Sequence, residues 1–240
     1  MTRKEAKQKI VKAISDRKTL VYLVRHGETS WNAEHRFQGH LDVELSRKGV
    51  AQAEALANWI AEQPVHFAAL FSSDLMRAVQ TAQIIGRRVR LVPQLYRGLR
   101  EVHGGEWQGL VRTEIEARFP GKLDMWDAQL DSFTVPGGES LPDVQERIYA
   151  TYERIVAQHP GEGIIIVSHG AALIALLAAL HDWDLVATWQ SRQARMGNTG
   201  VTVVSHDQNE NTHDLILLNS SEHLAADGSP ARQPAGKRDL

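Results

Sequence analysis

The sequence predicts an α/β fold, a three-layer α/β/α sandwich around a mostly parallel sheet of about six strands. Three observations carry this prediction. Short, continuously apolar runs alternate along the chain with patterns of helical period. Those runs lack polar alternation, as expected of strands covered on both faces. The chain has 240 residues, 42% hydrophobic and 23% charged, which suits a single globular domain with a full core.

Taken in order, residues 3–15 read as a short amphipathic helix with Ile10, Val11 and Ile14 on one side, within a helical extension spanning 1–18. The main domain is expected over 19–220. Strands are expected at 19–24 (TLVYLV), 67–72 (FAALFS), 88–92 (RVRLV), 164–168 (IIIVS), 201–205 (VTVVS) and 214–218 (DLILL). Helices are expected at 46–62, 74–86, 111–119, 140–158 and 171–180. Ser46 reads as the N-cap of the first of these, with Ala53, Leu56, Ala57 and Ile60 on its apolar face. Ser140 followed by Asp143 resembles a capping box in which Asp replaces the usual Glu. Segment 99–140 lacks strong strands and reads as a lid-like excursion of loops and short helices. Residues 221–240 read as a disordered tail, rich in Ala, Gly and Pro from Ala225 onward.

Composition excludes several functions. Lys+Arg number 27 against 29 Asp+Glu, so the formal charge is −2, no footprint for nucleic acid or an anionic membrane. Cysteine is absent, which rules out disulfides, thiolate metal sites and thiol catalysis. The N-terminus has no apolar stretch of a secretory signal. The longest apolar run, Ala171 to Leu180, is about half a membrane span. A soluble, cytoplasmic protein is expected, with a homodimer left open. Among the 11 histidines, no HExxH occurs, His35 and His40 lack the spacing of one helical face, and His206 and His213 flank a polar turn, where solvation is expected. Neither a metal nor a cofactor is expected.

The chemistry gathers at strand ends. LVYLV runs into Arg25-His26-Gly27-Glu28, and IIIVS into His169-Gly170. In an open α/β sheet the carboxyl ends of the strands form the ligand crevice, so both His-Gly pairs are expected to face it. The 67–72 strand ends in Ser72-Ser73-Asp74 and leads to Arg77 in the first turn of a helix. A cation there is disfavoured by the helix dipole unless an anion binds beside it. In GLREVHGGEWQGL, Glu101 could act as an acid if shielded beside Trp107 and His103. Glu106 and Glu139 are rival carboxylates, and the residues alone do not choose among the three.

On these motifs the sequence resembles the histidine phosphatase superfamily, in the branch that includes cofactor-dependent phosphoglycerate mutases. The resemblance spans roughly residues 19–220 in five ordered blocks: LVRHGETSWNAEHRFQGHLDVELSRKG, SSDLMRAVQTA, LREVHGGEWQGL, PGGESLPDVQERI and VSHGAALIALL. It implies a phosphoglycerate mutase-like fold and a phosphohistidine formed on His26. It further implies that Arg25, Arg77 and His169 surround the phosphoryl oxygens, with Asn32 adding a donor, and that Gln38, Gly39 and Gly170 line the pocket. Glu101 then becomes the proton donor, and Asn198 another lining position. In this reading His26 attacks as the neutral imidazole, while a protonated His169 and the two arginines supply positive charge without a metal.

Between phosphatase and mutase, the stretch KLDMWDAQLDSFTVPGGES holds Asp124, Asp127 and Asp131 and no basic pair. A second phosphate is expected to be repelled there, so the chain resembles the phosphatase members. The expected partner is a small phosphorylated metabolite. Arg100, His103, Arg112, Arg118, Arg192 and Arg195 are candidates to neutralise a carboxylate on it. The alternatives are a phosphoglycerate mutase and a non-catalytic phospholigand-binding module. The latter would be expected to lose the nucleophile or the acid.

Overall fold

A computed structural model describes residues 3–225. The chain runs α1 (Arg3–Ser15), β1 (Thr19–Arg25), α2 (Ser30–Ala33), α3 (Arg47–Ala61), β2 (Phe67–Ser72), α4 (Met76–Val89) and β3 (Gln94–Leu95). After 3-10 turns at Arg97–Leu99 and Gly105–Trp107 come α5 (Arg112–Arg118), α6 (Lys122–Ala128), α7 (Leu141–Ala157), β4 (Gly163–Ser168) and α8 (Gly170–Leu180). The last elements are α9 (Leu185–Ser191), β5 (Val201–Asp207), β6 (Thr212–Ser220) and α10 (Glu222–Ala225).

Six strands form one sheet in the order β3-β2-β4-β1-β5-β6. The pairs β1/β4, β2/β4 and β2/β3 are parallel, and β5 pairs antiparallel with β1 and β6. The expected fold class is observed. The pleat sends alternate residues to opposite faces. Val21, Leu23, Ile164 and Ile166 join a core with α7 and α8. Leu20, Tyr22, Val24, Ile165 and Val167 join another with α1, α3 and α4. The helix α8 is buried along nearly its whole length, which accounts for its unbroken apolar sequence.

Local signals explain most boundaries. Ser46 Oγ accepts from Gly49 N at 3.0 Å, and Ser140 and Asp143 form the capping box. Four expectations need correction. Residues 88–92 are not a strand: α4 continues to Val89, Arg90 adopts a left-handed C-cap at φ 61°, and the edge pairing falls at Gln94–Leu95. Gly86 permits this reversal, because a Cβ there would stand 2.3 Å from Leu91 O. On α1 the buried stripe is Ala6, Ile10 and Ala13, while Val11 and Ile14 are exposed. His206 and His213 are cross-strand partners with stacked rings 4.5 Å apart, rather than solvated turn residues. Of the expected tail, Glu222–Ala225 is a short helix that buries His223 beside Trp59; residues 226–240 lie outside the described residues.

The 99–140 excursion packs as part of the core. Trp107, Trp126 and Phe133 are buried there, with ring centroids 5.8–6.3 Å apart. No helix among the described residues is long and apolar enough to cross a membrane.

Candidate active site

Because β1 and β4 pair in parallel with Arg25 opposite Ser168, the residues that follow them emerge side by side. His26 N donates to Ser168 O at 3.0 Å, and the His26 and His169 rings lie 5.1 Å apart. Both are buried, at 2% and 0% exposure. His26 Nδ1 contacts Gly27 O at 2.7 Å. A carbonyl can only accept, so the proton belongs on Nδ1 and Nε2 keeps the lone pair. The next turn is held by a side chain of α4 and by close backbone approach: Gly27 N donates to the Thr81 hydroxyl Oγ1 (3.0 Å), and a Cβ on Gly49 would stand 2.0 Å from Glu28 O.

Arg77 is 1% exposed. It grips the loop before α3 by donating to Gly39 O (2.8 Å) and Leu41 O (3.0 Å). Gly39 makes this approach in the left-handed region, at φ 51°. Burial lowers the Arg77 guanidinium to about 10, with Glu101 opposing the shift, so it remains a cation at neutral pH. Arg25 is fixed by donation to Met196 O at 2.7 Å.

The Glu101 carboxylate accepts from Ala171 N (3.2 Å) and Ala172 N (3.1 Å) at the start of α8, and from Val102 N (2.9 Å). It therefore rests on a helix N-terminus, and not against Trp107, whose ring contacts are Phe37, Trp126 and Phe133. Gly170 is packed between acid and cation: a Cβ there would be 3.5 Å from Arg25 Nε and 3.8 Å from Glu101 Oε2. Of the rivals, Glu139 is held by Arg147 and Glu106 is exposed.

A cavity of about 420 Å³ opens on these groups. Arg25, His26, Asn32, Gln38, Gly39, Arg77, Glu101 and Gly170 all line it. Asn32 Oδ1 is engaged by Thr29 N and Asn198 Nδ2, which leaves its NH2 for a ligand. Asn198 is not in the wall. Its Nδ2 donates instead to His26 O at 3.1 Å and to Asn32 Oδ1 at 3.3 Å, so it braces both residues from behind.

Burial, reinforced by the charges of Arg77 and Arg25, holds His26 well below the usual imidazole range. The same burial, with Arg77 and then His26 and Arg147 nearby, does this to His169. This corrects the expectation of a protonated His169, because no carboxylate offsets its desolvation. Both ring nitrogens of His169, and Arg77 Nε, are buried without a hydrogen-bond partner. Arg77 Nε and the single N–H of a neutral His169 are orphaned donors that call for an acceptor, and a phosphate oxygen is one.

The cavity wall also carries Arg36, Arg112, Arg192 and Arg195 with Asp124 and Asp127. Arg112 pairs with Asp127 at 2.7 Å. Arg36 likewise pairs with Glu34 and Glu114, each at 3.2 Å, so arginines and carboxylates are interleaved in this part of the wall. Arg100 is instead engaged bidentately by Asp74, and neither His103 nor Arg118 lines the cavity. Sequence reasoning missed Arg36 and Arg147, whose only signals were their places in the first and fourth blocks.

With this fold and this cluster of imidazoles, arginines and one carboxyl at the strand ends, the molecule is built to bind a phosphate group. Residues 21–218 match the histidine phosphatase superfamily (branch 1), and the chain belongs to that family. It is 39% identical over 193 residues to the glucosyl-3-phosphoglycerate phosphatase of Mycobacterium tuberculosis, covering 76% of this chain and 83% of that one. It is 35% identical over 191 residues to a metal-independent phosphoserine phosphatase of Arabidopsis thaliana, covering 78% and 76%. A solved structure of mycobacterial glucosyl-3-phosphoglycerate phosphatase in complex with VO3 superposes with a TM-score of 0.74 at 34% identity, covering 83% of this chain and 98% of that one.

Proposed function

We propose that this protein is a phosphomonoesterase for small phosphorylated metabolites that also carry a carboxylate, working through a phosphohistidine on His26. The observation that carries the reading is the His26 Nδ1 to Gly27 O bond, which leaves Nε2 as a neutral nucleophile beside two arginines. The Nε2 lone pair attacks phosphorus, and the ester P–O bond breaks. Glu101 gives a proton to the leaving alkoxide. The resulting carboxylate then takes a proton from water as the water oxygen attacks phosphorus. The P–N bond breaks with its electrons returning to Nε2, and inorganic phosphate departs.

Arg25 and Arg77 stabilise the charge on the equatorial oxygens, with an N–H of His169 and the NH2 of Asn32 as further donors. Gln38, Gly39 and Gly170 shape the wall. Arg36, Arg112, Arg192 and Arg195 on the same wall offer guanidinium groups to a second anionic group on the substrate. Both substrates named for the relatives above combine a phosphate ester with a carboxylate, and both relatives are named as phosphatases rather than mutases.

The test is an assay on phosphate monoesters with and without carboxylates, after exhaustive chelation, with and without 2,3-bisphosphoglycerate. Hydrolysis indifferent to chelator and bisphosphate is expected, with an acid-labile, His26-dependent phosphoenzyme. Isomerisation of 3-phosphoglycerate that depends on the bisphosphate would establish a mutase instead. Phosphate binding without turnover would establish a binding module.

A further inference from the structure

Glu101 is anchored at both of its ends. While the start of α8 holds its carboxylate, its backbone carbonyl accepts from Arg147 Nη2 and from His40 Nε2, each at 2.7 Å. Arg147 lies on α7 and does not line the cavity wall. Its Nη1 donates to Gly98 O (3.1 Å) and Arg100 O (2.7 Å). Its Nε and Nη2 pair with the Glu139 carboxylate at 2.8 and 2.9 Å. With these bonds every guanidinium N–H is used, three of them on carbonyls of one short stretch of main chain. Glu139 Oε2 in turn accepts from His103 N at 2.8 Å, so the chain is held on both sides of Glu101. The fit is close: a Cβ on Gly98 would stand 1.9 Å from Thr151 Oγ1, one turn along α7.

Three half-buried carbonyls served by one side chain of α7 would be left short of donors without it. A surface arginine would satisfy none of them, and a lysine has neither the planarity nor the fork to reach three at once. We propose that Arg147, locked by Glu139 and assisted by His40, is the positioning residue for Glu101, setting where its carboxyl meets the leaving group. This rests on the reading of Glu101 as proton donor. Arg147 touches no reacting atom. Its contribution is the register of the 98–101 backbone relative to the start of α8, and a displacement of about 1 Å at a proton donor costs on the order of 10²-fold.

The test compares Arg147→Gln with wild type on two esters: p-nitrophenyl phosphate, whose leaving group needs no proton, and O-phosphoserine, whose alkoxide does. The expected result is a fall in kcat of about 10²-fold on O-phosphoserine and of less than about threefold on p-nitrophenyl phosphate, with KM unchanged on both. Arg147→Lys should show the same selectivity, and it serves alone if Arg147→Gln does not fold. In the double variant with Glu101→Gln, the Arg147 change should add nothing on O-phosphoserine.

Equal losses on the two esters, a loss confined to KM, or additive losses in the double variant would overturn the positioning role. Glu101→Gln alone separates the two claims. If it too loses equally on both esters, the proton-donor reading fails. If it is selective while Arg147→Gln is not, only the positioning role fails.

Discussion

The rings of His26 and His169 stand 5.1 Å apart with 57° between their planes, and burial together with neighbouring cations keeps both below the usual imidazole range. The nucleophile is therefore ready at a pH where a solvated histidine is largely charged. Above its folded pKa His26 is neutral and can attack; protonation removes the lone pair. The acidic limb of kcat/KM is expected below the ordinary value of 6.5. Arg77→Met removes one of the charges that depress His26, so the limb should move to higher pH, with a rate lower by on the order of 10³-fold. A wild-type limb at or above 6.5, in a pH–rate profile with a small ester, would contradict the environment described for His26.

His26→Ala should lose at least about 10³-fold in turnover and all acid-labile phosphoenzyme, while its circular dichroism and thermal midpoint stay close to wild type. Rapid-quench labelling with a radioactive ester measures the first. Labelling that persists would assign the phosphoryl group to another residue.

Asn198→Leu removes the brace between His26 O and Asn32 Oδ1 without opening the cavity wall. Each lost hydrogen bond is worth about 0.5–1.5 kcal/mol. A modest drop in stability by urea titration is expected, together with about tenfold lower kcat from a less ordered nucleophile. Unchanged kcat would confine Asn198 to a structural role.

Stability should also depend on pH through the β5/β6 hairpin. Burial, with His206 and His181 adding repulsion, lowers His213 to about 4; Asp214 opposes that shift, and Glu153 lies 3.8 Å from its Nε2. The unfolded chain binds this proton near 6.5 and the folded one only near 4, so the unfolded state holds more protons in between. The His213 contribution is therefore full above pH 6.5 and falls away as pH drops towards 4. The thermal midpoint should decline over that window, and less steeply in His213→Phe. An identical slope in the two proteins would remove His213 as a source.

The central architecture was legible because its signals are local. β1 and β4 are apolar runs that end in His-Gly, and burial on both faces leaves no other reading of them. The RVRLV run misled, since Val89 and Leu91 reach the core from the end of a helix rather than from a strand. Helices α6 and α9 have seven residues each, about two turns and too short for a period to register. The wall residues Arg25, Arg77 and Glu101 were legible by resemblance, but the state of His169 was not, because desolvation depends on what surrounds the ring. Arg147 was hidden for a similar reason: most of its acceptors are main-chain carbonyls, which every residue has and no side-chain pattern announces.

The parallel register that sets Arg25 against Ser168 ties chemistry to the most protected part of the molecule. Fraying of the outer β6 edge or of α1 can leave turnover intact, whereas any opening that parts the two middle strands disarms the enzyme at once. Loss of hydrolysis during gradual denaturation should consequently coincide with hydrogen exchange of the innermost amides, which makes catalytic output a direct gauge of global unfolding.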